Sequence, residues 1–160
     1  MADVLTSEQR RFNMSRIRGR DTKPEMLIRR GLHARGFRYR LQDRKLPGRP
    51  DLVFSRYHAV VFVHGCFWHG HDCPMFKLPV TRQEIWMTKI ASNRARDARV
   101  TAALLELGWR VANVWECSLR GPGRLTGDEV ITRCQTFLLT QEVTLIDISG
   151  VARAHEEKQQ

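Results

Sequence analysis

The apolar positions of this chain change period several times, and each change marks an element. In "DTKPEMLIRRGLHARG" (residues 21–36), Met26, Leu27, Ile28 and Leu32 recur at helical spacing. Thr22 and Glu25 stand three apart as a capping-box pair, Pro24 suits a first turn, and Gly36 suits a stop. "FRYRLQD" (37–43) alternates like a strand, and "KLPGRPD" (45–51) is turn material. The runs "LVF" from Leu52 and "AVVFV" from Ala59, joined by "SRYH", predict a β-hairpin. A long helix is predicted over 81–108, basic in its middle, aliphatic at both ends and stopped by Gly108. "WRVANVW" (109–115) predicts another strand, and "TGDEVITRCQTFLL" (126–139) a closing helix capped by Thr126 with Glu129.

Strands interleaved with helices predict an α/β fold, a central mixed sheet flanked by helices. At 160 residues and 42% hydrophobic content the chain suits one domain, expected over 21–150. An arginine-rich arm (1–20) precedes it, and a polar tail (151–160, ending "RAHEEKQQ") is expected to be disordered.

Charge narrows the partner. The formal net charge is +10 and the pI about 10.3, which favours a polyanion, nucleic acid first. No apolar run reaches the roughly 18 residues of a membrane span. The start "MADVLTSEQRR" lacks the apolar core of a signal peptide, so a cytoplasmic protein is expected. In that reducing setting four cysteines read as ligands or buried thiols rather than disulfides.

Two of them sit in "VFVHGCFWHGHDC" (61–73). Cys66, His71 and Cys73 are three soft or borderline ligands on one loop, and a closed structural zinc site needs a fourth. The candidates are His69, Cys117 and Cys134. Cys134 falls among Val130, Ile131, Phe137 and Leu138 at helical spacing, which marks a core thiol; Cys117 ends a strand, where a thiolate can reach a metal. The expected set is therefore Cys66, His71, Cys73 and Cys117. A metal would stiffen a loop too poor in aliphatics to bury itself. Phe67 and Trp68 beside it could then project and stack on bases, although core packing is the ordinary fate of an aromatic, and of Trp86 on its helix in particular.

Asp51 at a strand start invites a second metal, because phosphodiester hydrolysis uses a hard cation on carboxylate oxygen and a base to activate water. The usual nuclease pattern ends the next strand in acid, any residue, lysine. Here the comparable triplet is Phe62, Val63, His64, which lacks both.

The segments "RDTKPE", "LPGRPD", "VFVHGCFWHGHDC", "NRARD" and "LGWRVANVWEC" occur in an order and spacing that resembles the very-short-patch-repair (Vsr) DNA mismatch endonucleases, from about Asn13 to Arg120. The resemblance implies a restriction-endonuclease-like fold with a structural zinc and catalytic magnesium. It implies double-stranded DNA carrying a T:G mismatch as substrate, nicked 5′ of the thymine, with the mismatch arising from 5-methylcytosine deamination and hence a functional link to a cytosine-5 methyltransferase. A monomer in the bacterial cytosol, at the nucleoid, is expected. By position, Asp51 and the Val63 carbonyl would hold magnesium, His69 would act as general base, and Glu25 and His64 would assist. Asp97 would orient a histidine or a water. Phe67, Trp68 and Trp86 would enter the duplex beside the mismatch. The local readings differ: Glu25 as capping partner, His64 as an interior histidine, Asp97 paired with Arg94 or Arg96. A zinc-bearing binding module and a mismatch glycosylase are the rival functions.

Overall fold

The computed structural model describes residues 6–9 and 21–151. The expectations for the arm and for the tail beyond Val151 lie outside the described residues, apart from a helical turn at 7–9. In chain order the elements are α1 (Lys23–Ala34), β1 (Arg40–Leu41), β2 (Leu52–Phe54), β3 (Ala59–His64), α2 (Gln83–Glu106), β4 (Arg110–Trp115), α3 (Gly127–Leu139) and β5 (Leu145–Ile148). The sheet order is β1-β2-β3-β4-β5. Pairs β1–β2 and β2–β3 are antiparallel, while β3–β4 and β4–β5 are parallel, so the sheet is mixed as expected.

Strand alternation sorts the core into two layers. Leu52, Phe54, Ala59, Val61, Ala112 and Val114 meet Ile28 and Leu32 of α1 and Val130, Cys134, Phe137 and Leu138 of α3. Val53, Val60, Phe62 and Val111 face Leu104 of α2. Since β3 and β4 run parallel, the chain must cross over between them, and α2 is that crossover.

The structure corrects four details. The buried positions of α1 are Glu25, Ile28 and Leu32, whereas Leu27 is 40% exposed and Met26 half-buried. Its cap is one-sided: Thr22 Oγ1 accepts from the Glu25 amide, but Glu25 Oε2 accepts from the Asp21 amide at 2.7 Å rather than closing the box on Thr22. β1 shrinks to two residues because Gln42 turns the chain at φ +50. β5 was not expected at all.

Arg110 holds the end of α3. It is 6% exposed, and its guanidinium donates to the carbonyls of Phe137, Leu138 and Tyr57 at 2.8 to 3.0 Å and of Thr140 and Val143 at 3.3 Å. A helix leaves its last carbonyls unpaired, and here one buried cation satisfies them. Arg110→Met keeps the apolar stem and strands those carbonyls, so urea unfolding should show a loss of about 2 to 4 kcal/mol.

Candidate functional site

Two clusters form where β3 and β4 end. The parallel register sets His64 beside Trp115, and two residues further along each chain come Cys66 and Cys117. The Cys117 amide donates to Cys66 Sγ at 3.3 Å, and His71 Nδ1 lies 3.7 Å from Cys66 Sγ and 3.6 Å from Cys117 Sγ. With Cys73, one ligand atom from each residue falls within 4.8 Å of every other. Tetrahedral thiolate ligands around a zinc-sized ion stand about 4 Å apart, so the donor set and its spacing fit a metal. Cys134 is buried at 0% exposure in the core beneath α3, as its periodicity predicts. Burial pushes the Cys66 and Cys117 thiols up and pulls His71 down, states that favour neutral groups until a cation draws the thiols to thiolates.

Short backbone bonds wind the loop around this cluster: His71 N to Cys66 O at 3.0 Å, Cys73 N to His71 O at 2.9 Å. Gly70 has φ +58 and lies so close to α2 that a Cβ would stand 2.5 Å from Ile90 Cγ2. Only glycine permits that approach.

The second cluster gathers the acids and imidazoles. Asp51 directly precedes β2, and its Oδ2 accepts from the Val63 amide at 2.7 Å while Oδ1 accepts from Gln42 Nε2 at 3.0 Å. Burial, opposed by the Val63 amide and reinforced by Glu25, raises its carboxyl to about 6. Glu25 is 2% exposed, and its Oε1 is buried with no hydrogen-bond partner among the described residues. A buried carboxylate oxygen without a donor is costly, and a bound cation or its water is the usual remedy. His69 Nδ1 meets Asp97 Oδ2 at 2.5 Å, so Asp97 pairs with the histidine and not with Arg94 or Arg96. The rings of His64 and His69 are 4.1 Å apart, and burial followed by His69 pulls His64 down to about 4. Asp51, His64, His69 and Asp97 line one cleft with Arg44, Arg49 and Arg96, and its volume of about 590 Å³ is open to solvent.

The aromatics form a third cluster. Phe67 lies 5.2 Å from Trp68 and 5.3 Å from Trp86, with Lys89 Nζ over both tryptophans at 5.4 and 5.8 Å. All three rings are half-buried against one another, and the helical neighbour Ile85 is 64% exposed. Trp86 therefore belongs to this surface cluster and not to the core.

Four residues of the site were missed by sequence reading. Gln42 holds Asp51; Asn93 donates to the Trp68 carbonyl at 2.9 Å; Asn113 meets His64 Nε2 at 3.1 Å; Trp115 stacks on His71 at 4.0 Å. Only Asn113 left a signal, a polar residue inside an apolar strand.

Carboxylates and imidazoles at the ends of sheet strands, in a cleft rimmed by arginines, define a hydrolase for an anionic ester. Comparison with known proteins specifies it. The DNA mismatch endonuclease Vsr family matches residues 2–75. The DNA mismatch endonuclease Vsr of Escherichia coli is 45% identical over 152 residues, which is 94% of this chain and 97% of that relative. The Type II nicking enzyme V.XorIIP of Xanthomonas oryzae pv. oryzae is 50% identical over 125 residues (78% and 92%), and V.NmeAIP of Neisseria meningitidis is 43% identical over 120 residues (75% and 86%). The chain belongs to the Vsr family of DNA mismatch endonucleases. No helix of the described residues is long and apolar enough to cross a membrane.

Two measurements test the site. Cys117→Ser should lose the bound metal and much of its stability while Cys134→Ser keeps the metal, since only the first removes a ligand; equal metal content in the two would place the fourth ligand elsewhere. A carboxyl raised from 3.8 to about 6 opposes folding increasingly as pH climbs through that interval, and by a constant amount above it. In chelator, Asp51→Asn should therefore be more stable than wild type by about 1 to 3 kcal/mol at pH 8, with the advantage vanishing toward pH 4.

Proposed function

We propose that this endonuclease nicks one DNA strand 5′ of the thymine of a T:G mismatch, of the kind left by 5-methylcytosine deamination, with magnesium as cofactor and zinc holding the loop. The supporting observation is the proximity of three features: the Asp51 carboxylate anchored on the Val63 amide, the buried Glu25 oxygen without a donor, and the His69–Asp97 pair. The names of the nicking relatives support single-strand cutting.

Asp51 and the Val63 carbonyl are hard oxygen ligands suited to magnesium, and Glu25 offers Oε1 to the same region. When bound, magnesium supplies Lewis-acid polarisation of the phosphodiester. Asp97 accepts the Nδ1 proton of His69, which fixes that tautomer and leaves Nε2 as the base that takes a proton from the attacking water. His64 stays neutral beside it and assists. Arg44, Arg49 and Arg96 grip phosphates along the cleft. The Cys66, His71, Cys73 and Cys117 set is of the sulfur-rich type that selects zinc. The fold is read as restriction-endonuclease-like, in one domain over 21–150. An asymmetric mismatch needs only one copy of the chain, so a monomer at the nucleoid suffices.

Phe67, Trp68 and Trp86 enter the duplex next to the mismatch, where a weak pair opens at less cost than a matched one. A glycosylase would leave an abasic product without magnesium. The test is nicking of T:G and T:A duplexes with magnesium or chelator: wild type should cut only T:G with magnesium, and Asp51→Asn should bind T:G but not cut. Trp68→Ala, alone or with Phe67→Ala, should weaken T:G binding by about 1 to 3 kcal/mol and T:A binding much less. Equal losses on both duplexes would return these rings to a packing role.

A further inference from the structure

The side of β4 that faces α2 is apolar except at one point. Val111 lies fully buried there, Trp115 half-buried, and between them stands Asn113. It sits on the floor of a groove of about 410 Å³ formed with Phe62, Val100, Leu105 and Leu145. Asparagine is a poor strand residue, and a polar side chain over an apolar groove needs a partner. Its partner is His64, whose Nε2 lies 3.1 Å from Asn113 Oδ1.

Packing fixes the plane of the His64 ring. Phe62 stacks on it at 5.4 Å and 9°, and the rings of His69 and Trp115 stand 4.1 and 5.0 Å away. Such neighbours do not distinguish one ring nitrogen from the other. The amide of Asn113 does, because its oxygen only accepts. Nδ1 makes no hydrogen bond among the described residues, and the ring borders the cleft that holds Asp51 and His69.

We propose that Asn113 is a positioning residue that fixes His64 as the Nε2–H tautomer by accepting that proton on Oδ1, which leaves the Nδ1 lone pair as an acceptor at the edge of the cleft. The inference rests on the reading of His64 as an assisting group. It adds a chemical role: His64 accepts a hydrogen bond from a water or hydroxyl and does not donate one to phosphate. The two neighbouring imidazoles are then locked in opposite tautomers, His69 by Asp97 on Nδ1 and His64 by Asn113 on Nε2, and each turns a lone pair to the reaction.

The test joins a spectrum to kinetics on the full chain. Long-range 1H–15N correlation at pH 8 should show His64 with a protonated Nε2 and an unprotonated Nδ1. Asn113→Val, which suits a strand, should disturb that pattern and lower kcat for T:G nicking roughly ten- to a hundredfold, the usual cost of losing a group that orients an imidazole, with KM unchanged. Asn113→Asp, which can accept but not donate, should restore the pattern and most of the rate. A protonated Nδ1 in wild type overturns the proposal, as does full-rate nicking by Asn113→Val where His64→Ala is impaired. Full-rate nicking by His64→Ala would instead overturn the reading of His64 beneath it.

Discussion

Both centres depend on the parallel pairing of β3 with β4. Parallel strands leave the sheet at the same end, so whatever follows each of them meets whatever follows the other. The register His64 opposite Trp115 brings Cys66 and Cys117 together two residues later, with the Cys117 amide on the Cys66 sulfur. The same register puts His64, Asn113 and Trp115 on the side that faces α2. Trp115 then joins the two centres physically. Its ring stacks on His71 of the cysteine and histidine cluster at 4.0 Å and 10°, lies near His64 and His69, and is pinned by Asp147 through Nε1 at 3.0 Å. A slip of one residue would turn every one of these side chains to the other face.

The crossover helix supplies the third constraint. Trp86, Ile90, Asn93 and Asp97 recur on α2 at three- and four-residue steps and so share one face. Along about three turns that face meets the aromatic cluster, Gly70, the Trp68 carbonyl and His69 in succession. A rigid helix thus fixes the distance between the rings read as the mismatch wedge and the imidazole read as the base. The loop it clamps is itself tied by the cysteine and histidine set. The segment 61–73, with few aliphatics, is held on one side by the helix and on the other by a cysteine and histidine set whose spacing fits a metal.

The sequence made most of this legible, for identifiable reasons. Caps and stops at Thr22, Thr126 and Gly108 mark helix ends by local chemistry, and the hairpin follows from two apolar runs and a short turn. Cys117 is separable from Cys134 because one follows a strand end and the other obeys a helical period. The failures are equally physical. β5 is four residues long, and although Ile146 and Ile148 turn inward, the exposed Leu145 hides that alternation in the sequence. The buried face of α1 came out one position off because Glu25 takes an interior place that hydrophobicity assigns to Met26 or Leu27. Gln42 and Asn93 act through contacts 9 and 25 residues away in sequence, and no local pattern encodes those.

Glu25 and Asp51 also show what the fold gives up. Each is a carboxylate in a place where an apolar or neutral side chain would be more comfortable: one has an oxygen with no donor, the other a carboxyl lifted to about 6. His64 is held neutral by the same burial. A fold selected for stability alone would repack these positions, since unpaired buried charge is among the larger destabilising effects of single residues. The offset lies outside the cleft, in Arg110 closing the end of α3 and in the cysteine and histidine cluster a few residues beyond His64. Those features leave Asp51 and Glu25 electrostatically unsatisfied, and an unsatisfied buried carboxylate attracts any cation that reaches it.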